Sequence, residues 1–76
     1  MTGPAKRSVT IAGHRTSISM EPEFWSALRH IADEDGRSVT ELLTQIDKNR
    51  GERNLSSAAR VFVLNRLSQK LTQSEI

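Results

Sequence analysis

His14-Arg15-Thr16-Ser17-Ile18-Ser19-Met20 alternates in chemistry from one residue to the next. Thr16, Ile18 and Met20 are β-branched or apolar, whereas Arg15, Ser17 and Ser19 carry polar hydrogen-bonding groups. Successive side chains of an extended strand point to opposite faces, so the stretch predicts a strand with one apolar and one polar side. A lone strand leaves its backbone N–H and C=O groups unmatched. The chain offers no second stretch of equal clarity, and the economical partner is the same strand of a second copy, antiparallel across a two-fold axis. Such a ribbon would turn Ile18 and Met20 onto helices. It would present two sets of Arg15, Ser17 and Ser19 outward as the candidate functional surface.

Seventy-six residues make at most one domain, and a chain of that size buries a small share of its surface. Without cysteine there is no disulfide or thiolate metal site to staple it, which leaves association as the route to stability. The same absence fits a reducing compartment. No apolar run approaches a membrane span, and no apolar signal core stands at the N-terminus, so the expectation is a soluble cytoplasmic protein without a membrane partner.

The formal net charge of +2 is modest, but its distribution is uneven. Lys6, Arg7 and Arg15 meet no acid in the first twenty residues. Residues 21–35 hold Glu21, Glu23, Asp33, Glu34 and Asp35 against Arg29, and from Arg37 onward seven cations outnumber four acids. An acid-free basic arm running into a strand suits an edge that faces a polyanion. A short solvated tail would show the same charges.

Residues 1–13 read as that basic arm, opening with a lead-in over Met1 to Ala5. Within it Arg7-Ser8-Val9-Thr10-Ile11 has β-propensity and could extend the strand, but Val9 and Ile11 share parity with Arg15. Gly13 is the place for a bulge or bend that corrects the phase. Glu21-Pro22-Glu23 predicts a helix start, with Phe24, Leu28 and Ile31 at helical spacing and Gly36 as the terminator. Asp33-Glu34-Asp35 sit at the unfavourable end of that helix and read as a solvated face, because successive acids on a helix do not converge on a metal. Ser38-Val39-Thr40-Glu41 is a capping box opening a second helix striped by Val39, Leu42, Leu43 and Ile46. A third helix is predicted from Ser56 to Lys70 or Leu71, capped by Asn54 or Ser56, with Thr72 to Ile76 fraying. Its turn Val61-Phe62-Val63-Leu64 is apolar almost all round and should be enclosed on more than one side, by its own chain and a partner.

Catalysis finds little here. His14 and His30 are the only histidines, no carboxylate pair has ligand spacing, and the four glycines form no phosphate loop, so no enzyme, metal or cofactor is expected. Nucleic acid is better served. The major groove of DNA admits a two-stranded ribbon and displays donors and acceptors that distinguish all four base pairs. Arg15 can fork onto guanine, and the hydroxyls of Ser17 and Ser19 can serve either kind of edge. Lys6 and Arg7 on the arm would hold phosphates, as would the corner Arg37, Ser38 and Val39, where helix N-terminal amides lie beside a guanidinium.

This order of elements resembles the ribbon-helix-helix superfamily of the Arc and methionine repressors. It consists of a strand, the helix opening Glu21-Pro22-Glu23-Phe24-Trp25, and the corner Asp35-Gly36-Arg37-Ser38-Val39. The full pattern, with a further helix bearing Ser56-Ser57-Ala58-Ala59-Arg60-Val61-Phe62-Val63-Leu64, is similar to small bacterial ribbon-helix-helix proteins of alphaproteobacterial type. The resemblance covers nearly the whole chain and implies an intertwined homodimer, mostly α with one short strand per chain, built as β-α-α with an additional C-terminal helix. The core would span residues 14–50, and residues 51–76 would extend it. Carried over by position, the outward strand residues are Arg15, Ser17 and Ser19, and the phosphate-side residues are Arg37, Ser38 and Val39. Pro22 falls about one residue later than in the Arc pattern, which leaves open which outward residue is central.

The function these readings imply is a sequence-specific, double-stranded-DNA-binding transcriptional regulator, a repressor associated with the nucleoid. The alternatives are a protein-interaction module such as an antitoxin with an unknown protein partner, or a structural dimer without DNA binding, which the acidic first helix would suit. The well-patterned third helix differs from the long polar tail of a toxin-wrapping antitoxin.

Overall fold

The computed structural model describes residues 5–74. The start of the lead-in, residues 1–4, and the last two residues of the expected fraying end lie outside them. The elements are β1 (Ala5–Ile11), β2 (His14–Met20), α1 (Pro22–Glu34), α2 (Val39–Asn49) and α3 (Leu55–Ser74). The expectation of a single strand is corrected: β2 has a hydrogen-bonding partner in its own chain, formed by residues assigned to the basic arm. The pairing is antiparallel, setting Ile11 against His14, Val9 against Thr16, Arg7 against Ile18 and Ala5 against Met20.

The physical reason lies in the phase of Val9 and Ile11. On a continuous strand they would share a side with Arg15; the two-residue turn Ala12-Gly13 reverses the chain and moves them onto the side of Ile18 and Met20. Both turn residues have positive φ, 52° for Ala12 and 81° for Gly13. That is the requirement of a type I′ hairpin, whose twist matches the strands it joins. Glycine adopts this conformation freely, and alanine at a steric cost. The bend expected at Gly13 is thus a full reversal.

The inner side of the hairpin lies on three helices. Ile11, Ile18 and Met20 join Leu28, Ile31 and Ala32 of α1, Leu42, Leu43 and Ile46 of α2, and Ala58, Ala59 and Val63 of α3 in one core. Each large apolar side chain fully enclosed there contributes about 1.5–3 kcal/mol.

Local signals set the helix ends as the sequence predicts. Past α1, the Arg37 amide donates to the Ala32 carbonyl (2.9 Å) and the Gly36 amide to that of Asp33 (3.1 Å). This is a Schellman closure, for which Gly36 takes φ 67°. Before α2 the capping box forms: Ser38 Oγ accepts from the Glu41 amide at 3.1 Å, and the Glu41 carboxylate accepts from the Ser38 amide at 2.9 Å. Asn54 is the cap of α3, its Oδ1 accepting from the Ser57 amide at 2.8 Å.

α3 runs longer than expected, packs against α1, α2 and β2, and explains the acids at the end of α1. Lys70 donates to Glu34 at 2.7 Å, and Arg66 forks onto Asp35 at 3.0 and 2.9 Å. Near the start of α1, Arg60 donates to Glu21 at 2.9 Å. Glu34 and Asp35, read as solvated, bridge two helices. In the apolar turn of α3, Val63 is buried and Phe62 half-buried, whereas Leu64, with Leu67 and Leu71, stays exposed.

Candidate nucleic-acid interface

The hairpin register determines which side chains share its outer side. Thr10 stands opposite Arg15, Ser8 opposite Ser17, and Lys6 opposite Ser19. All are exposed except Ser19, which is half-buried. Arg15 Nη2 donates to Ser8 Oγ at 3.2 Å, laying its guanidinium diagonally across this surface. The side is free of apolar and acidic groups, and its four hydroxyls are short enough for the backbone to approach a ligand closely. The structure therefore brings Arg15, Ser17 and Ser19 to one side together with Lys6.

Ser8 and Thr10 complete the surface and were not singled out from the sequence. The signal that finds them is the dipeptide Ala12-Gly13 between two β-prone runs, read as a hairpin turn. With that turn in place, parity puts Lys6, Ser8 and Thr10 beside the polar residues of β2.

α3 secures one edge of this surface. The Ser19 amide donates to Ser56 Oγ at 3.1 Å, and the Ser19 carbonyl accepts from Arg60 at 3.2 Å. The groups of β2 that face away from β1 are satisfied at this point by side chains of α3.

The other sequence-predicted residues lie elsewhere. Arg7 is on the inner side, opposite Ile18, with its guanidinium carbon 4.5 Å from the centroid of the Trp25 ring. It is half-buried in a cation–π contact and does not share the surface of Lys6. Arg37, Ser38 and Val39 form the corner between α1 and α2. Arg37 donates to Gln45 Oε1, and Ser38 is engaged with Glu41 through both its hydroxyl and its amide. The hydrogen bond from the Ser38 amide holds the Glu41 carboxyl below the usual carboxylate range. The helix N-terminus thus already has an anion from its own chain. His14 is exposed beside the turn, and His30 lies 3.7 Å from Glu34. Among the described residues, no His, Asp or Glu cluster is arranged to hold a metal ion, and no helix is long and apolar enough to cross a membrane.

A two-stranded ribbon leading into two helices through a capped corner defines a class of small ribbon-bearing helical domains. The chain belongs to the ribbon-helix-helix domain family, whose model matches residues 4–67. Among solved structures it is similar to an uncharacterized protein from Bordetella pertussis Tohama I, with 33% identity and a TM-score of 0.75. The match covers 96% of this chain and spans 62% of the Bordetella chain. Comparison with curated proteins found no match. Membership in the family suggests a DNA-binding or related regulatory role in general, and proteins of the family are typically not enzymes.

Proposed function

We propose that the protein is a sequence-specific DNA-binding transcriptional regulator, a repressor in the cytoplasm, whose ribbon enters the major groove of double-stranded DNA. The observation that carries this reading is the outer side of the hairpin: Lys6, Ser8, Thr10, Arg15, Ser17 and Ser19, with two cations, four hydroxyls and no acid. Arginine forks onto the O6 and N7 acceptors of guanine, and serine or threonine hydroxyls donate to or accept from either base edge. Arg15 is the principal reader, with Ser17 and Ser19 beside it. At the corner, Arg37 and the amides of the first turn of α2, Val39 among them, lie against flanking phosphates, with Ser38 fixing the turn. Ribbon-helix-helix proteins generally bind DNA as homodimers, and a pair of these chains carries two ribbons. The folding of α3 onto its own chain weighs against the antitoxin alternative, in which a terminal segment stays free to wrap a partner.

Selection of bound duplexes from a random pool by the full chain tests the proposal. The expected result is an enriched sequence whose binding constant falls linearly with salt on a logarithmic scale, as released counterions require. Retention of all duplexes alike, or of none at low salt, overturns it.

A further inference from the structure

The two strands of the hairpin share one chemical pattern. Lys6-Arg7-Ser8-Val9-Thr10-Ile11 and Arg15-Thr16-Ser17-Ile18-Ser19-Met20 agree in chemistry at five of six positions. The agreeing pairs are cation, serine, β-branched aliphatic, hydroxyl and large apolar; only Arg7 and Thr16 differ. The register makes this repeat a symmetry. A two-fold axis through the pair Ser8–Ser17 carries Arg15 onto Lys6, Ser19 onto Thr10, Ile18 onto Val9 and Met20 onto Ile11. The aliphatic and large apolar pairs face the core, and the remaining agreeing pairs face outward. A ribbon built from β2 and its twin would set Ser17 against Ser17 and Arg15 against Ser19. In this chain Ser8 stands where the twin's serine would be, Thr10 opposes Arg15, and Lys6 opposes Ser19.

We infer that β1 takes the place of a second copy's strand, making one chain's hairpin a pseudo-two-fold reading head for a nearly palindromic DNA segment with unequal halves. This rests on the DNA-binding reading above and adds Ser8 and Thr10 to the base-reading set. It also gives Lys6, placed on phosphate by the sequence alone, the position symmetry-related to Arg15. The two cations occupy opposite corners of the outer side, four residues apart along the strands, or about 13 Å at about 3.3 Å per residue. That span corresponds to about four base-pair steps of about 3.4 Å each. Both side chains seek guanine O6 and N7, but arginine offers a rigid planar fork and lysine a flexible point charge. The Arg15 half therefore discriminates strictly and the Lys6 half loosely, with Ser8 and Ser17 at the centre.

The test uses the full chain and the duplex core it selects, scored base by base in competition binding. Arg15→Ala is expected to lose about 5- to 150-fold of discrimination in one half of the core. Lys6→Ala is expected to lose a smaller factor at the symmetry-related position about four steps away, within the same major-groove segment. Lys6→Arg should raise discrimination in that half toward that of the Arg15 half, and circular dichroism would confirm that each variant keeps the wild-type fold. Lys6→Ala weakening all duplexes alike overturns the inference while leaving the regulator reading intact, as does Arg15→Ala relaxing both halves equally. Arg15→Ala weakening all duplexes alike overturns the inference too, since Arg15 would then not read a base, whereas failure of the random pool to yield any enriched core overturns the regulator reading itself.

Discussion

The two sides of the hairpin share one backbone and one register but differ in nearly every other respect. On the inner side Val9, Ile11, Ile18 and Met20 meet the helices, and Ile18 and Met20 are fully enclosed. On the outer side six polar side chains face solvent, and the hydrogen bond between Arg15 and Ser8 is the side-chain contact that joins them. Alternation with a period of two lets a seven-residue strand commit one set of residues to the core and leave the other set toward solvent. The inner set tolerates little because its neighbours are packed around it; the outer set is free to change at small cost to the fold.

The sharpest break in that contrast should come from Ile18→Ala. Removing a fully enclosed branched side chain leaves a cavity and is expected to lower unfolding free energy by about 2–5 kcal/mol in urea titration, with DNA binding lost only as the fold is lost. Arg15→Ala should do the reverse, with stability unchanged within about 0.5 kcal/mol and about 1–3 kcal/mol of base discrimination removed. Loss of stability comparable to that of Ile18→Ala would merge the two sides into one. Ser38→Ala touches neither side and gives a scale for both, with an expected loss of about 0.5–2 kcal/mol as the capping box of α2 opens. Ala12→Asn, at the turn joining the strands, should raise stability by about 0.5–1 kcal/mol, since asparagine suits the left-handed first position of this turn better than alanine.

The smallest effect concerns pH. The Lys70 ammonium holds the Glu34 carboxyl below its usual range, and the Arg66 guanidinium does the same for Asp35. Carboxyls depressed in the folded chain add stability above their unfolded values and lose it as pH falls through their folded ones. Melting temperature should therefore drop on acidification below about pH 4. The double substitution Glu34→Gln with Asp35→Asn should flatten that drop.

Much of the fold was legible because its signals are local. The capping box at Ser38 and Glu41, the Gly36 terminator, the Pro22 start and the stripe of α2 each depend on neighbours within a turn or two. The strand β2 was legible for the same reason. β1 was harder, since Val9 and Ile11 have the wrong parity until Ala12-Gly13 is read as a reversal, and alanine at a left-handed position disguises that turn. The outward trio Arg15, Ser17 and Ser19 followed from alternation alone, whereas Ser8 and Thr10 needed the register. Arg7 looked like Lys6 in sequence and took the other side, held by the ring of Trp25, a contact between residues far apart in the chain. The acids Glu34 and Asp35 found Lys70 and Arg66 across more than thirty positions, a distance no local pattern spans.

A ribbon closed by a two-residue loop also changes how the protein responds to scarcity. Strands drawn from separate molecules come apart on dilution by mass action. A hairpin is held by its own covalent link and zips within about 1–10 microseconds. The outer side of the hairpin is thus complete in every folded molecule at any dilution.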